Sequence, residues 1–143
     1  MQLCLFVIDK AYYALPAVSV KSIQPFGEIT YVPGCPPEIL GVIHLKGRIE
    51  AIVDLRVLLG IEQREPMRED KIMMISQDHV RSGLLVDSAE DILWIHPDQI
   101  RKVPSGFDKT VQAFATGVIT WKKQTAVLLS PELIMDRIQG ASQ

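Results

Sequence analysis

Three histidines, two cysteines and a scatter of carboxylates are the groups in this chain that could do chemistry. A bound metal needs several ligands brought together, and such sites usually show as closely spaced His or Cys pairs. His44, His79 and His96 are far apart and have no Cys pair beside them. They fall in a strand-like segment, a polar turn and the position before Pro97, so no metal site is expected. A nucleophilic reading would combine Cys35 with His44 and Asp54. Cys35, however, sits between Gly34 and two prolines with no basic neighbour to activate it. It reads as an ordinary turn cysteine, and Cys4, inside an apolar run, as a small buried hydrophobe. Glu50, Asp54, Asp87, Glu90 and Asp91 fall at strand ends and turns, where carboxylates solvate edges. Asp87-Ser88 also suits a turn cap. No glycine-rich phosphate loop is present. The residues give no support to catalysis, a metal or a cofactor.

One arginine stands out. In the stretch IVDLRVLLG, Asp54 ends an apolar strand and can cap the next turn through backbone amides. Arg56 follows, with Leu58 and Leu59 facing inward. Its planar fork would suit a partner's carboxylate or carbonyls. Equally, it would suit an internal pair with Asp54 or Glu50.

The elements that must position these residues are mostly short strands. LCLFVI and YYALPAVSV flank a polar Asp9-Lys10 turn, and VKSIQPF continues until Pro25 and Gly27. PPEILGV reads as one helical turn that exits at Gly41. GVIHLKGRIEAIVDL reads as a hairpin about Lys46-Gly47. The polar stretch IEQREPMRED is the natural connector between two lobes. KIMMISQ and VRSGLLVDSAEDILWI are strand-like, followed by a proline-bearing loop with one helical turn and a last hairpin in ATGVITWKKQTAVLLS. PELIMDRIQ closes the chain as an amphipathic helix, with Ser130 as cap, Pro131 in the first turn, and Leu133, Ile134 and Ile138 on one face.

Composition narrows the class. Apolar residues make up 48% and charged residues 22%, with a formal charge of −2 and both signs interspersed. That suits one soluble unit with a sizeable core and argues against nucleic acid as a partner. No apolar run approaches the roughly 20 residues that a membrane-spanning helix needs. Met1 leads straight into a strand-like segment without a basic region or cleavage site, so no signal peptide is expected. Cysteine usage fits a reducing cytoplasm.

The chain also repeats itself. Gly41-Val42-Ile43 matches Gly117-Val118-Ile119, Leu45-Lys46 meets Trp121-Lys122, and Ala51-Ile52-Val53 meets Ala126-Val127-Leu128. LFVIDKAYYALPAV and IMMISQDHVRSGLLV share a strand, turn, strand rhythm. Two units of short strands predict two small β-barrels. The alternative is coincidence between amphipathic hairpins.

The pattern G-V-I-x-L-K-G-x-I-x-x-I-V-D-L-R closely resembles the signature of CheW-like domains, adaptors of chemosensory arrays. The resemblance spans nearly the whole chain: LCLFVI, VSVKSI, GLLVDSAEDIL and the stretch from Gly117 to Glu132 all have counterparts in the family. It implies an all-β fold of two packed SH3-like five-stranded barrels with a short C-terminal helix, in one domain over residues 1–143. The lobes are expected at about 12–64 and 70–143, with strand 1–10 a candidate to be shared between them.

The resemblance implies a non-catalytic adaptor in the cytoplasm, recruited to membrane-bound receptor arrays. Its partners would be a chemoreceptor's cytoplasmic tip, held in an apolar groove between the barrels, and the regulatory domain of a histidine kinase. Carried over by motif, the partner-binding residues are Arg56, Val20, Ser22, Lys46, Val86 and Asp87. Three positions depart from the family pattern. Ser22 stands where a glutamate is frequent, His44-Leu45-Lys46-Gly47 replaces an Asn-Leu-Arg-Gly turn, and Ala51 replaces a proline. An alternative reading is therefore a divergent scaffold serving another kinase or pilus motility. A small-molecule sensor would need a closed apolar pocket with convergent polar groups. Charge reversal at Arg56 is expected to weaken partner binding and leave the fold intact.

Overall fold

Strands form here because apolar residues recur with period two or run continuously where both faces are covered. The computed structural model describes residues 1–141, and the side chains through Ile138. Its strands are β1 (Gln2–Ile8), β2 (Ala11–Pro16), β3 (Val20–Pro25), β4 (Ile39–Leu45), β5 (Arg48–Asp54), β6 (Lys71–Gln77), β7 (Val80–Val86), β8 (Ser88–Trp94), β9 (Ala115–Trp121) and β10 (Gln124–Leu129). Helices α1 (Leu55–Leu59) and α2 (Lys109–Gln112) are short; α3 (Pro131–Ala141) closes the chain. The strands form two five-stranded sheets, in the orders β8-β1-β2-β10-β9 and β3-β6-β7-β5-β4. This is the all-β class with a C-terminal helix that the sequence predicts.

Four hairpins turn on two residues each: Asp9-Lys10, Lys46-Gly47, Asp78-His79 and Lys122-Lys123. Both residues of every pair have positive φ, between 47° and 79°. Two left-handed residues in succession make the turn whose twist matches that of the flanking strands.

The sheets do not divide the chain at the polar connector. Residues 20–86 supply all of β3 to β7, whereas β1 and β2 join β8, β9 and β10. The lobe limits of 12–64 and 70–143 are corrected accordingly: β2 leaves the first lobe, and β6 and β7 leave the second. The reason is strand direction. β5 lies parallel to β7, and β10 parallel to β2. Parallel neighbours cannot be joined by a tight turn. Each three-strand unit (β3 to β5, β8 to β10) is therefore completed by the opening hairpin of the other half of the sequence.

Matched in that way, the two sheets have the same strand order, and the repeated Gly-Val-Ile gains a physical meaning. Thr30, beyond β3, exchanges two backbone hydrogen bonds with Val42 (2.8 and 2.9 Å), and Arg101, beyond β8, does the same with Val118 (both 2.9 Å). At these crossings a Cβ on Gly41 would lie 2.4 Å from the Thr30 carbonyl oxygen. One on Gly117 would lie 2.5 Å from Ile100 Cγ2 and 2.8 Å from the Arg101 oxygen. Glycine lets the crossing chain close each sheet into a barrel. Gly41 is thus a mid-strand residue and not the exit of a helical turn; β4 already begins at Ile39.

Alternation along the strands fills three cores. Leu3, Leu5, Ala14, Ile119, Ala126 and Leu128 fill one barrel; Ile43, Ile52, Ile72, Met74 and Leu85 fill the other. Their neighbours in sequence, among them Phe6, Ile8, Leu15, Val53, Met73, Ile75, Leu84, Val86 and Leu129, meet in a larger core shared with α1 and α3. In α3, Ile134, Met135 and Ile138 are buried, while Leu133 is 41% exposed. At about 100° per residue the buried stripe runs through position 135, and Leu133 falls on its outer side.

Candidate functional site

Arg56 is placed by its own strand end. Asp54 closes β5, and its Oδ1 accepts the Arg56 amide at 3.0 Å, which starts α1. The guanidinium then turns inward. Nη2 donates to both oxygens of Asp87, at 2.9 and 2.8 Å, and Nη1 to the Glu62 carbonyl at 3.1 Å. Asp87 is the single residue between β7 and β8, where the chain leaves one barrel for the other. It also accepts the Asp9 amide from the β1–β2 turn at 2.9 Å, while its own amide donates to Val7. Arg64 adds a third link, 2.9 Å to Asp87, and holds Asp70 through two bonds of 2.9 and 2.8 Å. The cluster ties α1 and the polar connector to the hairpin of the opposite barrel.

This geometry corrects part of the sequence reading. Arg56 is only 7% exposed and its fork is committed internally, to Asp87 and neither to Asp54 nor to Glu50. Glu50 pairs with Arg81 at 3.3 Å. Charge reversal at Arg56 would set a carboxylate against Asp87, so an intact fold is not the expected outcome. Val86 is 1% exposed, its side chain in the core between the barrels. Val20 is half-buried against the same core. The sequence pattern gave no sign of Arg64 and Asp70, because the connector that holds them has no periodicity.

Electrostatics follow from the packing. Burial pushes the Asp54 carboxyl up, against the pull of the Arg56 amide and charge. Burial would raise Asp70 as well, but bonds from Arg64 and the Met67 amide outweigh it and hold its carboxyl below the usual value. The bond to Asp70 in turn raises Arg64.

A second feature lies on the opposite chemistry. Between the barrels, a cleft of about 300 Å³ is floored by Cys4 and Leu5 and flanked by Ile23 of β3 and Ala89 and Ile92 of β8, with Glu90 and Asp91 at its rim. Ile23 is 44% exposed and Ile92 55%. Trp94, two residues along β8 from Ile92, is also exposed, and Met1 and Val18 line a further recess with Pro16. Single exposed apolar residues are ordinary, but Ile23 and Ile92 together leave apolar area open along one cleft. Ile92 and Trp94 were legible only as an apolar excess in DILWI, beyond what a strand with one covered face needs.

Ser22 and Lys46 are brought together as well, at a third cavity of about 550 Å³ that also takes in Lys21, Gln24, Leu45, Ser76 and Arg81. The histidines take separate places. His44 and His79 are exposed, and His96 caps the short turn Pro97–Gln99. Among the described residues no group of three His, Cys, Asp or Glu could hold a metal ion, and no helix is long and apolar enough to cross a membrane.

Comparison with known proteins agrees with this architecture. The CheW-like domain profile matches residues 2–139. The chain is 27% identical over 141 residues to the chemotaxis protein CheW of Bacillus subtilis, covering 99% of this chain and 90% of that one. It is 30% identical over 118 residues to the chemotaxis protein CheW of Rhizobium meliloti, covering 82% and 76%. The crystal structure of the scaffolding protein TtCheW from Thermoanaerobacter tengcongensis superposes with a TM-score of 0.81 at 23% identity, over 90% of this chain and 88% of that one. The two closed sheets are thus SH3-like barrels. With a profile that matches residues 2–139, relatives covered over most of their length and the same pair of barrels, the chain belongs to the CheW-like domain family, the coupling and scaffold proteins of chemotaxis.

Proposed function

We propose that this chain is a non-catalytic adaptor that couples a chemoreceptor's cytoplasmic tip to the regulatory domain of a chemotaxis histidine kinase. It would act in the cytoplasm, recruited to membrane-bound receptor arrays. The observation that supports this reading is the apolar cleft between the barrels, with Ile23 and Ile92 exposed on its two walls. A receptor tip is a helical hairpin, and an amphipathic helix docks by laying its apolar face in such a groove. Two similar barrels leave further faces free for a kinase domain on the same small rigid body.

Calorimetry with two fragments from the same cell, the receptor tip and the kinase regulatory domain, tests the assignment. Wild type is expected to bind both. Ile92→Asp, exposed and so harmless to folding, should lose tip affinity by tenfold or more, as burial of a charge in an apolar contact costs about 2 kcal/mol. Its kinase binding should persist. Tip binding unchanged in that variant would remove the cleft from the site. Binding to neither fragment by a folded sample would move the chain to other partners, such as a pilus-motility kinase.

A further inference from the structure

The two barrels are alike in topology but not at their mouths. Where β9 turns into β10, Tyr12 and Trp121 meet edge to face, ring centroids 5.1 Å apart, and Lys122 lies 4.5 Å over the indole. The aromatic pair plugs that end. By register, the places of Tyr12 and Trp121 are taken in the other barrel by Arg81 and Leu45. Tyr12 lies two residues beyond the Asp9-Lys10 turn as Arg81 lies two beyond Asp78-His79, and Leu45 precedes its turn as Trp121 precedes its own. With no aromatic pair there, Leu45 and Arg81 line a cavity of about 550 Å³.

Its lining is polar where a barrel interior should be apolar. Ser22 and Gln24 sit opposite Met74 and Ile72, both members of the barrel's inner core, and Ser76 and Arg81 continue that inward face on β6 and β7. Glu50, two residues before the inward Ile52, is only 6% exposed and meets Arg81 Nε at 3.3 Å. That pair leaves the terminal nitrogens of the guanidinium for another acceptor. The Gln24 amide donates to the Ser22 hydroxyl at 3.2 Å, which leaves the hydroxyl proton to be given outward. With Lys21 and Lys46 at the rim, three cations face one buried carboxylate. Such a mouth is built for an anion.

β3 connects it to the cleft. Ile23 points to the cleft, while Ser22 and Gln24, on either side of it, line the mouth. We infer that a protein docked along β3 inserts an acidic side chain into this mouth, its carboxylate held by Lys46, Lys21, Arg81 and the Ser22 hydroxyl. The inference rests on the adaptor reading for the presence of a partner, and extends it by stating what that partner must carry.

The test is a low-salt NMR titration of the full chain with two probes, a blocked helical peptide of alternating Glu and Ala blocks and inorganic phosphate. The peptide is expected to move the amide signals of Ser22, Lys46 and Ser76. Lys46→Gln should weaken that response about fivefold, the range of a single partly exposed charge contact. Ser22→Glu, which supplies its own carboxylate, should abolish it while the rest of the spectrum stays dispersed. No movement, movement unaffected in both variants, or tighter binding of phosphate than of the peptide would each overturn the inference. Failure of the receptor tip to bind leaves this titration readable, so the two readings fail separately. Where the tip does bind, Lys46→Gln must weaken it more at low salt than at high.

Discussion

At the scale of single residues, the clearest result is what Asp87 does. One carboxylate takes bonds from Arg56, Arg64 and the Asp9 amide, and so joins three segments distant in sequence. Removing Arg56 leaves Asp87 short of its nearest cation and the Glu62 carbonyl without its donor. Arg56→Ala should therefore cost about 2–4 kcal/mol in urea unfolding, less than a fully buried pair would because Asp87 is partly exposed. The Asp70 pair carries a pH signature. Its carboxyl is held below the ordinary 3.8, so its contribution is whole above that value and fades as pH falls through the lower, folded one. Asp70→Asn should be less stable than wild type by about 1–2 kcal/mol at neutral pH, discounted for the partial exposure of Arg64. The difference should shrink in acid, checked by denaturation at several pH values. Asp54 acts in the opposite sense: its raised carboxyl costs stability at neutral pH, and acid relieves that cost.

At the scale of elements, closure of the barrels depends on two glycines. Gly41→Ala and Gly117→Ala force a Cβ against crossing backbone, and either should lower stability by about 2 kcal/mol or more. Amide exchange would localise the damage, with faster exchange at Thr30 and Val42 in the first variant and at Arg101 and Val118 in the second. Unchanged protection at those amides would mean the crossings tolerate a methyl group. Sequence periodicity revealed the strands and most of their turns, since alternation and local turn chemistry are written within a few residues. It misplaced Gly41, because a glycine leaving a helical turn and a glycine under a crossing strand look alike until the crossing partner is known. It likewise put Leu133 on the buried face of α3 in place of Met135, for want of the surface against which the helix packs.

At the scale of the molecule, each half of the sequence completes the barrel of the other. A cut at the polar connector near residue 65 would sever both, since β1 and β2 would part from β8 to β10, and β3 to β5 from β6 and β7. Fragments 1–64 and 65–143 should each lack cooperative unfolding by circular dichroism and regain it on mixing. Two independently folded fragments would show that the shared core is dispensable. The sequence by itself determined the strand content, the hairpin turns, the internal repeat, the capping of α1 by Asp54 and the family to which these motifs point. All of these are local patterns, set by backbone sterics and the period of side-chain burial. Only the tertiary structure decided which hairpin joins which barrel, that Arg56 looks inward to Asp87, and that Ile23 and Ile92 face each other across a cleft. Those outcomes depend on parallel pairings and contacts between residues far apart in the chain, and no local pattern records them.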